Sequence, residues 1–199
     1  EAEDEPVIFI DADDLPPADE EIWPPAIASE EFKKDLEENM LLRNYYIILD
    51  GSGSMEGEKL AAAKTALKEF IALIPEEAKI GLAVFDASDL SERVPLTLDR
   101  GRLIKAVNGV KAKGWTPLAS SISLAYEKIM GQARKQLGYG DYNLVIISDG
   151  EASDGEHPGE IVDQILTESP VIIHTIGFQI GTDHSLNQPG RIYYKSAQN

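Results

Sequence analysis

Five oxygen-bearing side chains in three separated stretches of this 199-residue chain have the types and spacing to do chemistry: Asp50, Ser52 and Ser54, then Thr116, then Asp149. Ser52 and Ser54 stand two apart, close enough for both hydroxyls to face one point. Gly51 and Gly53 remove side chains that would crowd the backbone there. An all-oxygen set suits a hard cation. Mg²⁺ prefers octahedral oxygen coordination and keeps some water, so three hydroxyls and two carboxylates make an incomplete shell for it, with Mn²⁺ or Ca²⁺ as alternatives. Two formal negative charges at most leave such an ion electrophilic, with a place open for a carboxylate of a protein partner. Without the ion the two carboxylates repel, and one pKa rises.

Elements must bring these stretches together. Tyr45 to Leu49 reads as a buried strand, after which Leu60, Ala63, Leu67, Phe70, Ile71 and Ile74 recur on one helical face. Ile80 to Phe85 gives a second strand, and Val94 to Leu98 a short one that Pro95 confines to an edge. Leu103, Ile104, Val107 and Val110 mark a second helix that Gly114 closes. Thr116-Pro117 reads as an N-cap and first helical position ahead of Leu118, Ile122, Ala125 and Ile129. Leu144 to Ile147 is a continuous apolar strand ending at Ser148-Asp149-Gly150. A modest helix at Ile161 to Leu166, a strand at Val171 to Ile176 and a last strand at Ile192 to Tyr194 complete the pattern. Such alternation predicts an α/β fold, a doubly wound, Rossmann-like, mainly parallel sheet with helices on both faces. In that architecture strand C-termini share one edge, where ligands bind. Asp50 and Asp149 both end strands there.

Asp50-Gly51-Ser52-Gly53-Ser54, Thr116 and Asp149-Gly150 resemble the Asp-x-Ser-x-Ser, Thr, Asp pattern of von Willebrand factor type A (vWA) domains, the metal-ion-dependent adhesion site, MIDAS. The resemblance covers residues 44 to 197 and runs closer to bacterial members. Several matches in order, among them Met55 after the serines and Thr116-Pro117-Leu118, make it specific. It implies one antiparallel edge strand, which Val94 to Leu98 could supply, and metal-mediated protein binding without a reaction. By carry-over Ser52, Ser54 and Thr116 are the hydroxyl ligands of the metal, and Asp50 and Asp149 coordinate directly or through water. Gly177 to Asn199 is too short for the family's usual final helix, so either the chain stops early or Glu30 to Met40 packs in its place.

Residues 1–43 read as an acidic extension punctuated by Pro16-Pro17 and Pro24-Pro25, and residues 44–199 as the domain. Within the extension Asp11-Ala12-Asp13 is faintly similar to the strand-end Asp-x-Asp of haloacid-dehalogenase-type phosphatases. Leu15 and Pro16-Pro17 break that pattern, and a chance acidic stretch is the better reading. A flexible turn at Gly51 to Ser54 is the plain alternative for the loop taken alone, and a phosphate cradle lacks the lysine of a Walker motif. Asp86, Glu151 and Asp154 read as solvated carboxylates, His174 as a half-buried strand residue, and Trp115 equally as an exposed contact beside the site or a packed loop aromatic. A metal-dependent hydrolase on the same carboxylates is the alternative function, since a bound ion can activate water. No His, Cys or Lys of the motif supports it. A structural assembly domain that leaves the metal unused is a further alternative.

With 35 acidic against 18 basic residues the formal charge is −17, which repels nucleic acid unless a basic patch forms, and no Lys/Arg cluster stands out. The lack of cysteine excludes disulfides, zinc-thiolate sites and thiol nucleophiles. No apolar run approaches the ~20 residues of a membrane-spanning helix. An opening at Glu1 rather than Met suggests a trimmed or processed chain. A periplasmic, cell-envelope or extracellular setting is expected, with the cytoplasm as alternative.

Overall fold

A computed structural model of the chain describes residues 43–149, 152–178 and 192–197. The expected extension lies outside these except for Arg43, which opens the first strand.

Among the described residues six strands form one sheet: β1 (Arg43–Asp50), β2 (Lys79–Asp86), β3 (Asp89–Thr97), β4 (Asp141–Ser148), β5 (Ile172–Phe178) and β6 (Tyr193–Ala197), in the order β3-β2-β1-β4-β5-β6. All neighbouring pairs are parallel except β2 with β3. Four helices connect them: α1 (Glu58–Leu73), α2 (Arg100–Gly109), α3 (Leu118–Lys135) and α4 (Pro158–Glu168). This is the doubly wound α/β fold expected, with its order of connection reversing between β1 and β4.

Alternation along β1 divides the core. Ile47 and Leu49 face Leu60, Ala63, Leu67 and Ile71 of α1 and Leu103 and Val107 of α2. Tyr46 and Ile48 face Leu118, Ile122, Ala125 and Ile129 of α3 and Val162 and Ile165 of α4. A strand flanked by apolar layers on both sides must be apolar at every position, which is why residues 45–49 form an unbroken run. One position carries no side chain for a packing reason. Gly81 pairs directly with Tyr46, whose ring lies across it, so that a Cβ built on Gly81 would stand 2.6 Å from ring carbons Cδ2 and Cε2.

The edge strand differs from its sequence reading in extent. β3 begins at Asp89, five residues before Val94, because the two-residue turn Ala87-Ser88 reverses the chain and Asp89 takes a positive φ of 64°. Pro95 sits on this edge strand, where its missing N–H breaks no ladder, and the register shifts opposite Ile80 and Leu82. α2 also departs from expectation. It ends at Gly109, with Val110 already extended, so Gly114 closes a loop and not a helix. The last strand starts one residue after Ile192 and runs to Ala197.

His174 on β5 is half-buried, hydrogen-bonds Asn143 Oδ1 through Nε2 at 3.1 Å and stacks on the Tyr193 ring at 5.3 Å. Burial lowers its pKa from the ordinary value. The unfolded chain therefore binds the proton more readily, and the stabilising contribution is complete above the unfolded value of about 6.5 and shrinks as pH falls through it towards the folded pKa. Urea unfolding at about pH 7.5 and about pH 5.5 should show wild type losing more stability on acidification than His174→Gln. Parallel losses would remove His174 as a source of acid sensitivity.

Candidate metal centre

Asp50 ends β1 fully buried. Its Oδ1 accepts the Ser52 backbone N–H at 2.8 Å and its Oδ2 accepts the Ser148 hydroxyl at 2.5 Å. Burial pushes its pKa above the ordinary carboxylate value. The bonds from Ser148 and Ser52 pull it down, and the nearby Asp149 charge adds to the upward push.

Gly51 is held on both sides: its N–H donates to Phe85 O at 2.9 Å, and its carbonyl accepts Lys113 N–H at 2.8 Å. A Cβ here would meet Val110 Cγ1 at 2.8 Å and Asp86 Cβ at 2.9 Å, so this position admits only glycine. Gly53 is different. The nearest atom to a Cβ there is Gly114 O at 3.7 Å, an ordinary contact, and crowding does not account for this glycine.

Residues Gly53–Met55 form a 3₁₀ turn, closed by Met55 N–H to Ser52 O and Glu56 N–H to Gly53 O, both at 3.2 Å. Met55 is fully buried and anchors the turn in the core. The turn brings Ser52 and Ser54 Oγ to 2.9 Å of one another, and Ser54 Oγ donates to Asp149 Oδ1 at 3.1 Å. Asp50, Ser52, Ser54 and Asp149 are thus one connected set: Ser52 bonds Asp50 through its backbone, and Ser54 reaches Asp149.

Thr116 arrives on the loop after α2. Gly53 N–H donates to Gly114 O at 3.2 Å, which ties this loop to the first one. Thr116 N–H donates to Ser153 Oγ at 2.8 Å, and Ser153 N–H donates back to Thr116 O at 3.1 Å, which ties it to the loop after β4. The expected capping role is overturned. Pro117 occupies the N-cap of α3, no side chain caps that position, and Glu156 instead accepts the Ser120 N–H at 3.0 Å in the first turn. Thr116 is buried, and its hydroxyl makes no capping bond to α3.

Three neighbours went unassigned in the sequence. Lys59, the second residue of α1, donates to Asp149 Oδ2 at 3.1 Å. Ser148 and Ser153 hold Asp50 and Thr116 as described. Ser148 had a legible signal, a polar residue ending an apolar strand beside Asp149; the other two had none. Asp86 is engaged elsewhere, by Arg93 Nη2 at 2.6 Å and Ser88 N–H at 2.9 Å. Asp154 lies in a turn, and Glu151 lies outside the described residues. Trp115 is 83% exposed, which decides between its two readings in favour of a surface contact beside Thr116.

The donor set suits a hard cation: two buried carboxylates, two hydroxyls in mutual contact, and a third hydroxyl that the helix does not use. Among the described residues no group of three or more His, Cys, Asp or Glu converges on one point, so an ion held here would depend on hydroxyls and water. That composition fits Mg²⁺ better than a soft metal.

A family model described as the von Willebrand factor type A domain matches residues 44–192. The chain is similar to the uncharacterized protein sll0103 of Synechocystis sp. (strain ATCC 27184 / PCC 6803 / Kazusa), 22% identical over 153 residues, covering 73% of this chain and 34% of that one. It therefore spans about a third of the length of that relative. Among solved structures it resembles an aerotolerance-related membrane protein from Bacteroides fragilis NCTC 9343, with a TM-score of 0.57, 21% identity and coverage of 68% and 67% of the two chains. It also resembles manganese-loaded Plasmodium vivax TRAP protein, with a TM-score of 0.59, 18% identity and coverage of 78% and 68%. With its sheet order, its loop geometry and a family match over most of its length, the chain belongs to the von Willebrand factor type A domain family.

Proposed function

We propose that this domain is a non-enzymatic protein-binding module of bacterial MIDAS type, in which Asp50, Ser52, Ser54, Thr116 and Asp149 hold a divalent ion, Mg²⁺ first, with Mn²⁺ or Ca²⁺ as substitutes. Bound there, the ion supplies positive charge to which a carboxylate of the partner coordinates. The observation that carries this reading is the mutual clasp of three loops at the C-terminal edge of the sheet, which presents only oxygen donors. The protein's own share is to orient these donors and surround them. Asp50 is fixed from two sides, Met55 and Gly51 seat the first loop, and exposed Trp115 offers apolar area beside the ion for a partner to cover. That the similar TRAP protein is manganese-loaded supports the reading that this domain takes a divalent metal. We place the domain in the envelope or outside the cell, following the membrane protein of Bacteroides fragilis that it resembles. No helix among the described residues is long and apolar enough to cross a membrane.

A ligand that binds only the folded state stabilises it by about 2.7 kcal/mol at one hundred times its Kd, and about 1 kcal/mol moves the melting temperature of a domain this size by about 2–4 °C. Saturating Mg²⁺ should therefore raise the melting temperature by about 5–10 °C relative to chelator. A melt unchanged by Mg²⁺ and by Mn²⁺ would overturn the metal reading, and partner capture indifferent to chelator would overturn the bridging role.

A further inference from the structure

We propose that Lys59 is a tethered counter-ion that sets the charge of this centre, loosening its hold on the metal and strengthening its hold on the partner's carboxylate; the proposal rests on the metal-binding reading above. Its Nζ stands 3.1 Å from Asp149 Oδ2, while Asp149 Oδ1 accepts the Ser54 hydroxyl, also at 3.1 Å. One carboxylate is thus held by two donors of different character from a single loop-helix segment. The Ser54 hydroxyl can turn its proton away and offer a lone pair to an ion, whereas an ammonium has donors only and can never become a ligand. Lys59 stays a charge. The pair is shielded, with side chains 27% and 5% exposed, so salt screens it far less than a surface pair.

Counted formally as two carboxylates against one ammonium, Asp50 and Asp149 with Lys59 leave one net negative charge, which a divalent ion converts to one net positive charge. Without Lys59 the same ion would give a neutral centre. A positive centre attracts an incoming carboxylate more strongly than a neutral one, while the ion itself binds more tightly to the more negative set. The two affinities must therefore shift in opposite directions when the ammonium is removed, and a residue that merely held the loops in place would weaken both.

The test uses Mn²⁺ alone and then acetate as the carboxylate probe, with Lys59→Met, which keeps the apolar stem, and Lys59→Arg, which keeps the charge. Calorimetry should show Mn²⁺ binding Lys59→Met about tenfold more tightly than wild type, the equivalent of about 1.4 kcal/mol, and Lys59→Arg within about twofold of wild type. Water-proton relaxation of the Mn²⁺-loaded proteins should show acetate displacing bound water less readily in Lys59→Met. Melting in chelator checks that both variants are folded. Equal or weaker Mn²⁺ binding by folded Lys59→Met overturns the proposal while leaving the metal reading intact. Failure of wild type to bind Mn²⁺ overturns both.

Discussion

Asp50→Ala is expected to erase the whole Mg²⁺-dependent gain in stability, about 2.7 kcal/mol at one hundred times Kd, while changing stability in chelator by only about 1–2 kcal/mol. The asymmetry follows from what surrounds the carboxylate. In chelator, alanine leaves the Ser52 N–H and the Ser148 hydroxyl without this acceptor, a loss, but it also relieves a fully buried charge whose pKa burial already raises. These effects oppose one another. With Mg²⁺ present nothing offsets the loss, since Asp50 is one of only two carboxylates among the five donors. Melting curves of wild type and variant with and without Mg²⁺ separate the cases. An Asp50→Ala protein that still gains stability from the ion would place the ion elsewhere.

Gly81→Ala is the second large effect, and it acts far from the metal. A methyl group at this position would stand 2.6 Å from two carbons of the Tyr46 ring, well inside contact distance. The ring cannot retreat, because it is fully buried and its hydroxyl donates to Glu92 Oε1 at 2.8 Å. Overpacking of a tight core costs about 1–3 kcal/mol, and with the ring pinned at both ends the upper part of that range is expected. Tyr46→Ala empties the space, so the double variant should cost less than the sum of the two single ones by about 1 kcal/mol or more. Urea unfolding of the cycle measures this coupling, and additive costs would show that the ring does not constrain Gly81.

What the sequence made legible were features whose cause is local. The apolar runs ending at Asp50 and Asp149 read correctly as central strands, because a strand buried on both faces has little freedom of composition. The stripe Leu118, Ile122, Ala125 and Ile129 read correctly as the buried face of α3. Failures came where tertiary bonds decide the backbone. Val110 and Ala112 continue an apolar pattern past the end of α2, yet they pack against the core from a loop that Gly51 and Gly53 hold by hydrogen bonds. Nothing local announces that loop. Thr116-Pro117 satisfied the local rule for a cap and lost to the same cause, since Ser153 fixes the Thr116 backbone from the far side of the site. The start of β3 was hidden because an edge strand with polar residues at Asp89, Ser91, Glu92 and Arg93 carries no apolar signal. Lys59 was hidden for a different reason: on an isolated helix it is an ordinary surface lysine, and only the fold supplies Asp149 as its partner.

The proposed function requires one cation to reach donors from three distant stretches at the same time. Mn²⁺ added in small amounts to isotopically labelled protein tests it, because an unpaired-electron ion broadens the amide signals of residues near it. Signals from 51–54, from 115–116 and from Asp149 should broaden together, saturably, and recover together with chelator or excess Mg²⁺. Broadening confined to one of the three loops, or spread over surface carboxylates such as Asp154 and Glu160 with these loops untouched, would contradict it.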